Sequence, residues 1–145
     1  MRQDYDVLIV GAGVVGSSLA LALSHLPLRI ALIEQIPFRF EPPLSLDSKP
    51  IALNVASMRI LQTLALWPAL AAYANPIRQV HISQQACFAQ SRISAKDMGV
   101  AQLGCVIPAA RLGSELIKAL SECAAGKTAA KASLDIALHD LVGKI

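Results

Sequence analysis

The first 34 residues of the chain show three successive patterns of apolar and polar positions. Val7–Val10 is a run of four apolar residues stopped by glycine, which is typical of a strand buried on both faces. Residues 16–24 follow with apolar side chains at helical spacing, and Pro27 cannot continue that helix. Residues 28–33 form a second apolar run, with Glu34 at its end. Strand, helix and strand in this order predict a βαβ unit whose two strands are parallel.

The next segment is rich in turn-forming residues and then becomes helical. Four prolines fall within residues 36–50, which predicts an irregular loop. Asn54 or Ser57 is expected to cap a helix that runs to about Leu66, with Met58, Leu61, Leu64 and Ala65 on one face.

Shorter elements are predicted downstream. A brief helical piece is expected between Pro68 and Pro76. Alternating side chains predict strands over 79–83 and about 88–93, and a third short strand over 105–107. Pro108 precedes a helical pattern that covers 109–124. These elements predict an α/β fold with a mainly parallel sheet.

Composition narrows the class of protein. Apolar residues make up 54 % of the chain and charged residues 16 %, which is typical of a globular domain. The net charge of +3 is spread thinly and forms no basic cluster, so no nucleic acid partner is expected. The cysteines at 87, 105 and 123 lack metal or redox spacing, and the histidines are isolated. We therefore expect no metal and a reducing, cytoplasmic setting.

Val7–Leu23 is apolar enough to resemble a signal peptide or a membrane helix. Asp4 and Asp6 precede this segment, where a signal peptide requires positive charge. Gly11, Gly13 and Gly16 also lie within it, and their spacing is explained by the glycine motif of residues 11–16 described next. A membrane-spanning segment is therefore not expected.

Residues 11–16 read GAGVVG, the G-x-G-x-x-G pattern of dinucleotide-binding turns. Gly11 is expected to allow a tight turn where a Cβ would clash, and Gly13 to let a pyrophosphate approach the backbone. Gly16 is expected to let the helix pack closely on the strand. Backbone amides in the first helical turn, including those of Val14 and Val15, are candidate donors to the pyrophosphate.

Glu34 supports this interpretation because it follows Gly16 by eighteen residues, at the end of the second strand. An acidic residue at this position accepts hydrogen bonds from an adenosine ribose. It also disfavours a 2′-phosphate, because two anions would face each other, so NADP is not expected at this site. The motif alone does not distinguish FAD from NAD, since both carry an ADP half.

Further blocks resemble the FAD-dependent aromatic hydroxylases of ubiquinone biosynthesis. The likeness covers about residues 4–120 and is closest to the 2-polyprenyl-6-methoxyphenol hydroxylase group, within the para-hydroxybenzoate-hydroxylase-like flavoproteins. It is carried by DYDVLIVGAGVVGSSLALAL, LDSKPIALNVASMRIL, LWPALAAYANPIRQVHIS and LGCVIPAARLGSELIKAL. The order of these blocks is more specific than the glycine motif, and it favours FAD over NAD.

The resemblance implies a monooxygenase. In such proteins the flavin is reduced by NAD(P)H, reacts with O₂ and transfers one oxygen to a phenol ring, while the protein orients the reactants. It implies a polyprenyl phenol substrate and leaves open a peripheral association with the inner membrane, a biosynthetic complex or a homo-oligomer. Family members run to roughly 400 residues and carry later flavin-binding segments, so this chain resembles a truncated FAD/NAD(P)-binding domain of Rossmann-like fold. We expect these 145 residues alone to hydroxylate nothing.

The resemblance also extends the set of candidate site residues. Asp47 and Lys49 fall in a loop that meets the flavin, although family members usually have arginine where Lys49 stands, and lysine lacks its bidentate fork. Arg111 opens the helix after VIPA, in a segment that borders the cofactor; a solvated arginine is an equal alternative. The predicted cofactor-binding residues are Gly11, Gly13, Val14, Val15, Gly16, Glu34, Gln35, Lys49 and Arg111. No residue is assigned as catalytic.

The end of the chain departs from the family pattern. Residues 128–141 are predicted to form an alanine-rich amphipathic helix ended by Gly143, and residues 127–145 resemble a non-catalytic helix of enolase-superfamily proteins. We therefore predict one FAD-binding domain over 1–125 and a separate C-terminal helix over 126–145. Two alternatives remain open: an NAD-dependent Rossmann dehydrogenase domain, and a non-catalytic truncated or chimeric fragment.

Overall fold

A computed structural model describes residues 4–35, 49–83, 90–125 and 133–138 of the chain. In chain order, its helices and strands are β1 (Val7–Val10), α1 (Val14–Leu23), β2 (Arg29–Glu34), β3 (Pro50–Asn54), α2 (Val55–Thr63), α3 (Trp67–Leu70), a 3₁₀ helix (Ala71–Tyr73), β4 (Asn75–Ile77), β5 (Gln79–Ser83), β6 (Gln90–Ser94), β7 (Gly104–Pro108), α4 (Ala109–Ala124) and β8 (Ser133–Leu138). None of the helices in these ranges is long and apolar enough to cross a membrane.

The chain divides into two compact units. Unit 1 comprises residues 1–47 and 110–145, and unit 2 comprises residues 48–109. The strands within residues 48–109 pair with one another in sheets of their own.

Unit 1 contains a parallel sheet in the order β1-β2-β8. The predicted βαβ unit is present, with β1 paired to β2 from Val7 opposite Ile30 to Val10 opposite Ile33. The Asp6 carboxylate holds the beginning of this pair, because it accepts a 2.7 Å hydrogen bond from the backbone N–H of Arg29. The predicted α/β class with a Rossmann-like parallel sheet is therefore confirmed for this unit.

Burial differs between the two strands of the βαβ unit. All four residues from Ile30 to Ile33 in β2 are buried, whereas Leu8 is 58 % and Val10 69 % exposed in β1. The prediction that β1 is buried on both faces is wrong here. Among the described strands, β1 has a neighbour on one side only, while β2 lies between two strands.

The helix predicted over 128–141 is wrong for residues 133–138. These residues form β8, which pairs in parallel with β2 from Arg29 opposite Ser133 to Glu34 opposite Leu138. Their sequence SLDIAL alternates apolar and other residues with the period of a strand. The edge of β2 supplies backbone hydrogen-bond partners, and this long-range pairing outweighs the helix propensity of the neighbouring alanines.

Helix α4 matches the predicted helix over 109–124. Leu112, Leu116, Leu120 and Cys123 lie along one face and are buried. Near its C-terminal end, the Cys123 thiol lies 3.9 Å from the buried hydroxyl of Ser24, just after α1. This contact shows that α4 packs against the end of α1 in the core of unit 1.

Unit 2 has only antiparallel pairings among its described strands. Its sheet has the order β3-β7-β4, and β5 pairs separately with β6. The sequence predicts β5, β6 and β7 within two residues at each end, but it misses β3 and β4, which both contain proline. The proline nitrogens carry no N–H, and both strands lie at edges of the sheet, where a missing donor is tolerated.

Helix α2 begins as predicted but ends sooner. The side chain of Asn54 accepts a 2.8 Å hydrogen bond from the Ser57 N–H and caps the helix. Its last helical residue is Thr63, because Ala65 has a φ of 57°. The Leu66 N–H then bonds to the Leu61 carbonyl, which completes a Schellman motif with both leucines buried. Ala65 is exposed and does not lie on the predicted apolar face.

Ala65 occupies a left-handed conformation that glycine adopts without a steric cost. We expect Ala65→Gly to raise the free energy of unfolding by about 0.5–1 kcal/mol. As a control, Ala56→Gly within α2 should lower it by about the same amount. Urea unfolding followed by the fluorescence of Trp67, the single tryptophan, measures both changes. A loss of stability in both variants would contradict this account of the helix end.

Candidate functional site

The chain leaves β1 through a glycine turn that lies directly before α1. Gly11 has a φ of +93°, which side chains rarely permit, and its N–H donates a 2.8 Å hydrogen bond to the Ile33 carbonyl of β2. A Cβ built on Gly11 would meet nothing within 4 Å. The prediction that a Cβ would clash at Gly11 is therefore wrong. The turn requires glycine there because of its backbone conformation.

Gly16 is required for close packing, as predicted. A Cβ on Gly16 would overlap the Gly11 carbonyl oxygen and lie 3.3 Å from Cγ2 of Ile9 in β1. Because the first atom it would meet belongs to the backbone, a change of rotamer cannot relieve the overlap. Gly16 therefore sets how closely α1 approaches the strand.

Gly13 has the opposite environment. It is exposed, has ordinary extended backbone angles, and a Cβ built on it would meet nothing within 4 Å. The surface above the turn is thus open to a ligand. An alanine at this position would occupy some of that open space without disturbing the chain.

The N-terminus of α1 opens onto this turn. Gly13 is the N-cap residue and provides no side-chain cap, so the amides of Val14, Val15 and Gly16 lack an acceptor within the helix. Together with the positive end of the helix dipole, these amides favour an anion. Val14 is half-buried and Val15 is 82 % exposed, as expected for residues at the rim of an open site.

Glu34 faces the turn from the end of β2. Its Oε2 accepts a 2.7 Å hydrogen bond from the Ala12 N–H, and the side chain is half-buried. A carboxylate has about four lone-pair positions, so this group can also accept hydrogen bonds from ligand hydroxyls. The structure therefore brings together the glycine turn, the first amides of α1 and a carboxylate acceptor.

Three further predicted residues lie elsewhere. Gln35 directly follows Glu34 and is exposed. Arg111 is half-buried in the first turn of α4, where its carbonyl accepts a hydrogen bond from Ser114 Oγ. Lys49 belongs to unit 2, where its carbonyl accepts a 3.0 Å hydrogen bond from the N–H of Ala109. Asp47 lies outside the described residues.

Ser17 is a residue of this site that the sequence interpretation missed. Its side chain is 1 % exposed, and its hydroxyl donates a 2.7 Å hydrogen bond to the carbonyl of Ala12. A serine directly after the third glycine, within an otherwise apolar helix face, is the signal that would have drawn attention to it.

Other potentially reactive groups in the described ranges are characterised by their clustering, pKa and position. No cluster of three or more histidine, cysteine or acidic residues there could hold a metal ion. Burial raises the pKa of the Cys105 thiol, which disfavours the reactive thiolate. A cavity of about 370 Å³ in unit 2 lies between Arg78 and Lys96, and no predicted site residue lines it.

Comparison with known proteins gives the family. The sequence profile of a family described as "FAD binding domain" matches residues 4–141. The match includes the residues of β8. The resemblance to FAD-dependent hydroxylases is confirmed.

Two curated relatives match part of the chain. "Ubiquinone hydroxylase UbiL" of Rhodospirillum rubrum is 34 % identical over 82 residues, covering 53 % of this chain and 18 % of the relative. "Ubiquinone hydroxylase UbiM" of Neisseria meningitidis is 39 % identical over 67 residues, covering 46 % of this chain and 14 % of the relative. The matched regions therefore span less than a fifth of either relative.

A solved structure supports the fold. The p-nitrophenol 4-monooxygenase PnpA from Pseudomonas putida superposes with a TM-score of 0.64 at 13 % identity. The superposition covers 94 % of this chain and 32 % of PnpA. At this identity the likeness concerns the fold alone.

Substitution by alanine should affect stability strongly at Gly16 and little at Gly13. We expect Gly16→Ala to lower the free energy of unfolding by at least about 2 kcal/mol, because its Cβ overlaps the backbone of Gly11. Gly13→Ala should change it by less than about 0.5 kcal/mol, since its Cβ meets open space. Urea unfolding followed by far-ultraviolet circular dichroism measures both. Equal losses in the two variants would show that α1 does not approach β1 as described.

Proposed function

Since the chain belongs to the FAD binding domain family, we propose that its glycine turn and Glu34 bind the ADP half of FAD. The observation that carries this proposal is the 2.7 Å hydrogen bond between Glu34 Oε2 and the Ala12 N–H. It holds the carboxylate beside the open turn, where the ribose and diphosphate of one nucleotide are recognised together.

The diphosphate is proposed to lie against Gly13 and the first turn of α1. The amides of Val14 and Val15 donate to its oxygens, and the helix dipole adds to the attraction. Gly13 leaves room for this approach because it has no Cβ. The conformation of Gly11 and the packing of Gly16 hold the turn in position.

Glu34 is proposed to accept hydrogen bonds from the ribose hydroxyls. Its negative charge would repel a 2′-phosphate at the same position, so the site selects FAD or ADP over NADP. Gln35 lies next to it at the end of β2 and is proposed to border the adenosine.

Lys49 and Arg111 are proposed to contribute positive charge near the cofactor. Their positions in blocks that resemble the hydroxylases and the sign of their charge support this proposal. Lysine at position 49 retains this charge, but it cannot form the bidentate contacts of an arginine.

The whole protein is proposed to be a flavin-dependent monooxygenase of ubiquinone biosynthesis, with a polyprenyl phenol as substrate and NAD(P)H as reductant. The names of the two curated relatives support this assignment. Bound FAD supplies the redox and oxygen-transfer chemistry, while the described residues bind and orient its ADP half. We propose a cytoplasmic location, with contact to the inner membrane or a biosynthetic complex left open.

The 145 residues alone are proposed to have no hydroxylase activity. The solved monooxygenase PnpA superposes over only 32 % of its length, and no described residue is assigned as catalytic. Ring hydroxylation by the purified chain with NADPH and FAD would contradict this proposal.

Titration of the chain with FAD, followed by flavin fluorescence, tests the proposed site. ADP should compete with FAD, whereas 2′-phospho-ADP-ribose should compete at least about tenfold less well because of the charge of Glu34. Glu34→Gln should weaken FAD binding about tenfold, since the charge-assisted hydrogen bonds to the ribose become neutral ones. Glu122→Gln removes an exposed carboxylate of α4 and serves as the matched control.

The site assignment fails if the chain binds neither FAD nor ADP, or if Glu34→Gln and Glu122→Gln bind FAD equally well. Binding of NAD with no binding of FAD would favour the dehydrogenase alternative.

A further inference from the structure

The Ser17 side chain makes a hydrogen bond that is not part of the hydrogen bonding within α1. Its Oγ donates to the carbonyl of Ala12, five residues earlier and outside α1, at 2.7 Å. The neighbouring Ser18 makes the ordinary contact, in which Oγ donates to the carbonyl of Val14 four residues earlier. Both distances are 2.7 Å, but only the Ser17 bond leaves the helix and reaches the glycine turn.

This bond determines how the peptide between Ala12 and Gly13 is oriented. The described chain contains no cis peptide bonds, so the carbonyl of Ala12 and the N–H of Gly13 point in opposite directions. Ser17 is buried, and its hydroxyl therefore holds the carbonyl toward the interior. The Gly13 N–H must then point away from Ser17.

The peptide between Gly11 and Ala12 is also fixed in orientation. The Ala12 N–H donates to Glu34 Oε2 at 2.7 Å, so the backbone N–H and the carbonyl of Ala12 each have a hydrogen-bond partner at 2.7 Å. Rotation of the peptide between Ala12 and Gly13 would place a carbonyl oxygen where an anion has to bind. It would also leave the hydroxyl of Ser17 without this acceptor.

We propose that Ser17 is a positioning residue, which keeps the Ala12–Gly13 peptide oriented so that the Gly13 N–H donates to the diphosphate of the cofactor. This inference rests on the proposed ADP site. It adds a residue that touches no part of the nucleotide and acts through the backbone.

The test compares three variants in the full 145-residue chain. Ser17→Ala removes the hydroxyl that holds the turn, and Ser18→Ala removes a matched hydroxyl that does not. Ser17→Cys is close to serine in size but is a weak donor, so it separates the loss of the hydrogen bond from the loss of volume.

Affinity for ADP and for adenosine is measured by NMR titration. Both Ser17 variants should bind ADP about tenfold more weakly than the wild type, because one amide no longer faces the diphosphate. Adenosine has no phosphate, so its affinity should change less than about twofold. Ser18→Ala should bind both ligands like the wild type. A purely structural role of Ser17 would weaken both ligands equally and would overturn the proposal.

The Gly13 amide resonance in the free chain gives a readout that does not depend on binding. Ser17→Ala and Ser17→Cys should shift it, and Ser18→Ala should leave it nearly in place. If the wild type binds neither FAD nor ADP, the proposed function fails, and the orienting role of Ser17 is decided by this resonance. An unshifted Gly13 amide in both Ser17 variants overturns the inference.

Discussion

The contact between Gly16 and the Gly11 carbonyl is the constraint on which unit 1 depends. It brings the first turn of α1 against the end of β1 at a separation that no side chain allows. Because β2 pairs in parallel with β1, with Val10 opposite Ile33, the end of β2 lies beside the same turn. Glu34 then reaches the Ala12 N–H at 2.7 Å. The close packing at Gly16 and the register of the two strands together give the polar geometry of the site.

The site is preorganised through the backbone of Ala12. This residue is buried, and its N–H and carbonyl are bound to a carboxylate and to a buried hydroxyl, respectively. Amides that already face a ligand do not have to reorient when it binds, which lowers the entropic cost of association. The proposed ADP site uses this arrangement, and the chain belongs to the FAD binding domain family.

The sequence predicts the βαβ unit well because local signals and tertiary packing coincide there. The three glycines, the apolar run of β1 and the acidic end of β2 each report on the same turn. At residues 133–138, local sequence signals and tertiary pairing disagree. Residues 133–138 lie beside helix-favouring alanines, and their strand exists because β2 offers an unpaired edge far away in the chain. The position of Ser17 directly after the third glycine is visible in the sequence, but its hydrogen bond to the Ala12 carbonyl is seen only in the structure.

A crystal structure of the chain with ADP bound tests the central claim most directly. The account predicts diphosphate oxygens within about 3.2 Å of the backbone nitrogens of Gly13, Val14 and Val15, and ribose hydroxyls within the same distance of Glu34. A diphosphate bound elsewhere on the chain, or a Glu34 carboxylate turned away from the ribose, would contradict it.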